Sequence, residues 1–289
     1  MGHLTSSIVS YPSRGPWGRW DYRGNTSGYL LVDLIKQYSP KSILDPFSGS
    51  GTTRDVAREM GIYCDSFDLH DGFDVLTGTL PARRYDLIFL HPPYYSMIKY
   101  SDDPRDLSNA ESIGDFMRRL GDIVVRLSEY LTEGGHIVVL IGNMRKAGRY
   151  YPLGAYLETM FHEELHEEII KIQHNTMSSK TMYSSDSFIP IMHEKVLVFA
   201  NFKPMTWGDL VLRALNELGG TAELSEIYDK LATHPKTLTN PTFRATIRRT
   251  LQEVASSMGV GKWTINKAGV PSTGERRSRD GMVKGSEFA

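Results

Sequence analysis

The sequence predicts an α/β fold with a mainly parallel sheet, followed by a small helical unit, and three observations predict it. Short apolar runs such as Tyr85–Leu90 and His136–Ile141 are bounded by Gly and Pro, as buried parallel strands are. These runs alternate with amphipathic segments of helical period. Near Lys203-Pro204 the alternation stops, and three amphipathic segments follow with one short β run. The 289 residues, 40% hydrophobic and 23% charged, suit one large and one small domain with real cores.

The elements follow in order. Residues 1–28 are rich in Gly, Ser, Arg and aromatics and read mostly as loop. Leu30, Leu31, Leu34 and Ile35 have helical spacing. A strand at 41–45 leads through the Gly/Ser turn 46–53 into a helix at 53–60. Strands are expected at 61–69 and 85–90, then a helix at 116–131 broken by Gly134-Gly135. The strand 136–141, a helix over 151–161 and strands at 165–172 and 196–199 complete the sheet. Ligands of such sheets lie beyond the carboxyl ends of the strands.

In the C-terminal part, helices are expected at 207–218, ended by Gly219-Gly220, and at 224–232. Asn240-Pro241 opens a third, with Asn as N-cap and Pro at the first helical position. Phe243, Ile247, Leu251 and Val254 line one face of it. Thr242, Arg244, Thr246, Arg248, Arg249 and Thr250 fall beside or opposite that face. Lys262–Ile265 reads as a short β wing. This order resembles a winged helix-turn-helix, whose recognition helix uses Arg and short polar side chains on phosphates and base edges. A solvated helix has the same surface, and a protein-binding role is the alternative. The polar tail from Gly269, with Arg276, Arg277 and Arg279, reads as disordered.

Charge and cysteine content narrow the classes further. The net charge is -1, which excludes a basic coat over the whole chain. Residues 202–289 nevertheless carry 13 basic and 9 acidic side chains, against 20 and 25 in residues 1–201. The single Cys64 permits neither an internal disulfide nor a cysteine-rich zinc site, which fits an intracellular protein. No apolar run reaches the ~20 residues of a membrane span, and MGHLTSSIVS lacks the pattern of a signal peptide.

Two phrases carry the chemistry. Asp45-Pro-Phe-Ser-Gly-Ser-Gly-Thr-Thr53 lies between a strand and a helix, where glycines let a ligand approach the backbone and the helix start offers free N–H groups. No Lys follows the last Gly, so it is not a phosphate-binding P-loop. His91-Pro-Pro-Tyr-Tyr95 ends the strand Tyr85–Leu90, and its two prolines cannot continue a ladder. Together, in this order and about 45 residues apart, they resemble motifs I and IV of the amino-group DNA methyltransferases. Thr26–Ile35 resembles motif X of the same family, and His193–Phe199 its final strand. The resemblance covers roughly residues 11–202.

The resemblance implies a Rossmann-like methyltransferase domain over 1–202, a winged-helix DNA-binding domain over 203–268 and a tail over 269–289. It implies S-adenosyl-L-methionine as cofactor, held by Thr26, Ser27, Asp45, Pro46, Phe47, Gly49, Ser50, Gly51 and Thr52. Asp68 would meet the ribose hydroxyls and Asp74 the adenine. His91, Pro92, Pro93 and Tyr94 would be catalytic, with the Pro92 carbonyl and the side chain at 91 accepting hydrogen bonds from the amine. Such an amine is a poor nucleophile that must be oriented and stabilised. Tyr94 would stack on a base extruded from the duplex. No metal is called for, and Cys64 lies outside the Pro-Cys context that cytosine carbon-5 methylation uses.

The family usually has Asp, Asn or Ser where this chain has His91. Neutral imidazole accepts one hydrogen bond and imidazolium none. Activity is therefore expected to fall as pH drops toward the ordinary histidine pKa of ~6.5, and a flat profile between about pH 5.5 and 8 would count against the acceptor role. The expected activity is site-specific transfer to adenine N6, slightly ahead of cytosine N4. An RNA base or guanine-N2 methyltransferase and a cofactor-binding regulator without turnover remain open. Expected partners are double-stranded DNA, a second copy of the chain, and cognate restriction or defence proteins, in a bacterial, archaeal or phage cytoplasm.

Four further stretches have two readings each. Ser96–Leu107 is either a loop closing over base or DNA, or plain surface. Residues 174–189 are a candidate recognition hairpin. Arg14, Trp17, Arg19 and Trp20 suit nucleic-acid contact or packing. His162 and His166, among Glu163, Glu164 and Glu167, read as a charged helix end rather than a metal site.

Overall fold

A computed structural model describes residues 4–174, 188–203, 205–232, 234–238 and 240–265. The chain divides into two compact units, one of Met1–Pro204 with Thr233–Thr239, the other of Met205–Ala232 with Asn240–Ala289.

The first unit is α/β. Its seven-stranded sheet contains β1 (Ile8–Ser10), β2 (Ser42–Asp45), β3 (Tyr63–Ser66), β4 (Tyr85–Leu90), β5 (Leu131–Ile141), β8 (Leu165–Ile172) and β9 (His193–Phe199). The order is β1-β8-β9-β5-β4-β2-β3. Strands β3, β2, β4 and β5 run parallel, and β9 runs antiparallel between β5 and β8. Helices α1 (Gly28–Tyr38), α2 (Thr52–Glu59), α3 (Ile113–Ser128) and α4 (Leu153–Met160) belong to this unit. So do the hairpin of β6 (Met144–Lys146) with β7 (Arg149–Tyr151), and the single turn α7 (Pro235–Leu238). Alternate residues of each central strand face opposite sides, so the sheet carries two apolar clusters. Leu44, Ile88, Val139 and Leu197 lie in one; Ile43, Phe89, Val138 and Val196 lie in the other.

Several elements differ from the expectations. Helix α3 begins three residues earlier than Phe116, because Ser112 caps it by accepting the Asp115 N–H at 3.1 Å. It ends at Ser128, and Gly134-Gly135 fall inside β5. There the register slips from Tyr85–Leu131 to Leu87–His136, so the glycines form a bulge and do not stop a helix. Strand β3 is shorter than 61–69, since Asp68 caps a 3-10 turn over Leu69–Asp71. The loop expected over 1–28 contains β1, which pairs with β8. His166 and Glu167 lie in β8 and not at a helix end.

The second unit runs α5 (Trp207–Glu217), β10 (Thr221–Glu223), α6 (Leu224–Leu231), α8 (Phe243–Val254), β11 (Ala255–Gly259) and β12 (Lys262–Ile265). Its strands form an antiparallel sheet of order β10-β12-β11. Thr206 and Asp209 form a reciprocal capping box on α5. Ile247 and Leu251 are buried with Leu210, Val211 and Ile227, and Phe243 and Val254 pack against them. The start of α8 differs from the expected cap. Thr242 is the N-cap, while Asn240 accepts the Thr242 N–H at 2.9 Å in a turn ahead of the helix. Thr250 is buried rather than presented; Thr242, Arg244, Arg248 and Arg249 are exposed.

Candidate active site

A cavity of about 1300 Å³ opens at the carboxyl ends of β2 and β4. It is lined by Thr26, Ser27, Asp45, Pro46, Phe47, Gly49, Ser50, Gly51, Thr52, Asp68 and Asp74, and also by His91, Pro92, Pro93 and Tyr94. Arg244, Arg248, Arg249 and Thr242 lie in the other unit, on or at α8.

The glycine turn is built from backbone. Gly49 has a φ of 46°, and a Cβ there would come within 2.9 Å of the Tyr22 ring. Its N–H donates to Asp68 Oδ2 at 2.8 Å, while Asp68 Oδ1 accepts the His70 N–H at 2.9 Å. Asp45 is buried; its Oδ1 accepts the Phe47 N–H at 3.0 Å. Burial pushes its carboxyl up to about 6, against hydrogen bonds from Thr53 and Phe47. Asp74 closes a local turn, with Oδ1 on the Leu76 N–H at 2.9 Å and Oδ2 on the Thr77 hydroxyl at 2.7 Å.

The hydroxyls of the predicted cofactor set divide. Ser50 and Thr52 both donate to Asn25 Oδ1, at 2.8 and 2.7 Å, and Ser27 donates to the Ser13 carbonyl at 2.8 Å. They hold the N-terminal segment against the turn. Thr26 Oγ1 is buried with no hydrogen-bond partner. An orphaned buried hydroxyl on a cavity wall is what a polar ligand would satisfy.

The motif IV end is built from side chains. His91 Nε2 lies 2.9 Å from the Tyr94 hydroxyl. That hydroxyl donates to Glu194 Oε1 at 2.6 Å, and Lys171 Nζ donates to Glu194 Oε2 at 2.6 Å. Lys171 and Glu194 are both buried and are register partners across β8 and β9. Burial pushes the His91 imidazole down to about 4, partly offset by Glu194. This moves the expected titration below the window of pH 5.5–8, so a flat profile there is compatible with an acceptor role. The Tyr94 ring lies against Gly142, where a Cβ would come within 2.7 Å of it.

Sequence reasoning missed Asn25, Lys171 and Glu194. The last had a signal: Glu194 falls in step with Val196 and Val198, on one face of β9. It also missed the β6–β7 hairpin, which turns at Ala147-Gly148, both with positive φ. Arg145, Lys146 and Arg149 sit on it, over Tyr150, Tyr95 and Tyr151 respectively, and residues 134–157 contain no acidic side chain.

The other stretches also resolve. Ser96–Leu107 is braced by Ser101 to Asp106 at 2.9 Å and by Asn109 to the Ser101 and Asp103 carbonyls; Tyr100, Arg105 and Asp106 line the cavity. Trp17 packs on Gly28 and donates to Glu59, Trp20 is exposed, and Arg14 and Arg19 line the cavity. Cys64 is half-buried in β3, with its thiol pushed up to about 12 by burial. Among the described residues no group of three His, Cys, Asp or Glu could hold a metal ion, and no helix is long and apolar enough to cross a membrane. The hairpin expected over 174–189 falls largely, and the tail from Gly269 wholly, outside the described residues.

No protein-family model and no curated protein matches the chain. Among solved structures, it is similar to TTHA0409 from Thermus thermophilus, provisionally named a DNA modification methylase and complexed with S-adenosyl-L-methionine. That likeness has 19% identity and a TM-score of 0.30, over 46% of this chain and 52% of that one. TrmN from Thermus thermophilus matches at 16% identity and TM-score 0.36, over 62% and 50%. The N-methyltransferase NodS from Bradyrhizobium japonicum, with S-adenosyl-l-homocysteine, matches at 13% and 0.35, over 64% and 90%. The chain thus spans about half the length of TTHA0409 and of TrmN. At these scores the likenesses assign nothing, and the functional reading rests on the site.

Proposed function

We propose that the chain is an S-adenosylmethionine-dependent methyltransferase acting on the exocyclic amine of a nucleic-acid base. DNA is the favoured substrate, with adenine N6 slightly ahead of cytosine N4. One observation carries the reading: a single cavity is lined by both the Asp45–Thr52 turn and His91–Tyr94. Its volume of about 1300 Å³ exceeds the roughly 300–1,000 Å³ of a pocket for one small ligand.

The residues fit the cofactor. Thr26 offers an unused hydroxyl, Gly49 keeps the turn free of side chain, and Asp45, Asp68 and Asp74 supply carboxylates. When bound, S-adenosylmethionine supplies a methyl group on a sulfonium sulfur. Asp68 retains a second lone pair on each oxygen for ribose hydroxyls. Asp74 likewise accepts one hydrogen bond on each oxygen, both from its own turn, and keeps a second lone pair on each for the adenine end. His91 and the Pro92 carbonyl accept hydrogen bonds from the amine and orient its lone pair, and Tyr94 and Phe47 wall the site.

Two basic surfaces support a polyanionic substrate. The hairpin carries Arg145, Lys146 and Arg149, none of them in an ion pair among the described residues. Helix α8 presents Arg244, Arg248 and Arg249 in a unit that we read, from its order of helices and strands, as a winged helix-turn-helix. Phosphate contacts predict a steep loss of affinity with salt.

The test incubates the chain with methyl-labelled cofactor and either DNA or RNA, then digests and identifies the labelled nucleoside. N6-methyladenine or N4-methylcytosine in DNA is the expected result. Label in RNA alone overturns the DNA substrate, and cofactor binding without label in either overturns turnover.

A further inference from the structure

The buried Lys171–Glu194 pair has no part in the reading above, on which this inference rests. Glu194 stands on the face of β9 that also carries Val196 and Val198, and it and Lys171 are buried at the wall of the cavity. Placing two charges there costs several kcal/mol per ion before their attraction is counted. The pair is not closed on itself, because the second oxygen of Glu194 takes the Tyr94 hydroxyl. Burial alone would raise the Glu194 carboxyl, but Lys171 beside it holds it below the ordinary range. It is therefore ionised and can only accept.

The directions of the remaining hydrogen bonds follow. Tyr94 has one hydroxyl hydrogen, and Glu194 takes it. The same oxygen lies 2.9 Å from His91 Nε2, and with its hydrogen committed it can only accept there. Nε2 must then carry the hydrogen. A neutral imidazole has one N–H, so Nδ1 keeps its lone pair. No described residue donates to Nδ1, and His91 lines the cavity.

We propose that Lys171, Glu194 and Tyr94 are positioning residues that fix His91 as its Nε2–H tautomer, making Nδ1 the acceptor for an N–H of the substrate amine. An imidazole free to exchange tautomers would present a donor part of the time, and a donor cannot hold an amine hydrogen. The relay removes that state, so histidine serves where the family has a carboxylate, an amide or a hydroxyl. It also sets specificity: a lone pair at Nδ1 selects an amino base over one with a carbonyl at the same position.

The test uses the whole chain with 15N-labelled histidine and no cofactor. Two-bond proton–nitrogen correlations report which ring nitrogen carries hydrogen, and His91→Asn identifies the His91 signals among the nine histidines. The wild type at pH 7 is expected to show the Nε2–H pattern, and Tyr94→Phe a mixture of tautomers. In turnover, Tyr94→Phe should lower kcat about ten- to a hundredfold while cofactor KM changes less than about twofold. An Nδ1–H pattern in the wild type overturns the relay even if no variant folds. So does an Nε2–H pattern that survives both Tyr94→Phe and Glu194→Gln. A fixed Nε2–H tautomer in a chain that methylates no nucleic acid overturns the methyltransferase reading, and the amine with it, but not the relay.

Discussion

The two ends of the cavity are made in different ways. At the glycine turn, backbone N–H groups meet carboxylates a few residues away or one strand over, as in Gly49 to Asp68. At the His91 end, the geometry depends on Tyr94, on Glu194 a hundred residues later, and on Lys171 across the sheet. The first construction is local and tolerant of its surroundings. The second places the orientation of one imidazole under the control of a buried ion pair, so it is sensitive to single substitutions far away in sequence.

The largest expected effect breaks the second construction. Glu194→Leu leaves Lys171 buried, charged and unpaired at the cavity wall and should cost about 3–5 kcal/mol of stability by denaturant titration. Adding Lys171→Met should recover most of that loss while leaving turnover impaired, because His91 is still unheld. A loss under about 1 kcal/mol for the single variant would mean that the pair does not sit in a dry layer. At the other end, Asp68→Ala removes the acceptor of two backbone N–H groups and should weaken cofactor binding by about 1–3 kcal/mol in calorimetry. Asp74→Ala should cost less, since its carboxylate bonds only within its own turn, whereas Asp68 also holds the Gly49 N–H of the glycine turn. Equal losses would erase the distinction drawn between the two acids.

The ends should also separate by pH. Neutral His91 accepts and charged His91 cannot, so kcat should hold down to about pH 5 and fall about tenfold per unit below about 4. Asp45, buried and raised to about 6, carries its charge only above that value. Affinity for the cationic cofactor should therefore weaken as pH falls through about 6, before kcat moves. A common midpoint for kcat and cofactor KM would show that one group governs both.

The same contrast explains what was legible in the sequence. The turn Asp45–Thr53 and the phrase His91–Tyr95 are contiguous, so their glycines and prolines declare the strand ends by local stereochemistry alone. Tyr85–Leu90 was legible because its near-continuous apolar run, broken only by Asp86, suits a buried strand. The bulge at Gly134-Gly135 was not, since a glycine pair reads as a break unless the register of β4 beside it is known. Nor was the relay, which exists only because β9 runs antiparallel to β8 and brings Glu194 opposite Lys171. Nor were the partners of Ser50 and Thr52, which line the cavity: Asn25, which takes both hydroxyls, lies outside their motif.

The smallest effect is the sharpest probe of the backbone-built end. Thr26 Oγ1 is buried and satisfied by no protein group, so Thr26→Val should leave stability within about 0.5 kcal/mol or raise it slightly. Shape is conserved, and a desolvated hydroxyl without a partner is removed. If the hydroxyl is there for a ligand, the same change should weaken cofactor binding by about 1 kcal/mol, roughly fivefold, in calorimetry. Stability gained with affinity unchanged would make Thr26 a packing residue of the segment ahead of α1. Affinity lost with stability unchanged would assign the unsatisfied hydroxyl to the cofactor, because no partner within the chain then accounts for it.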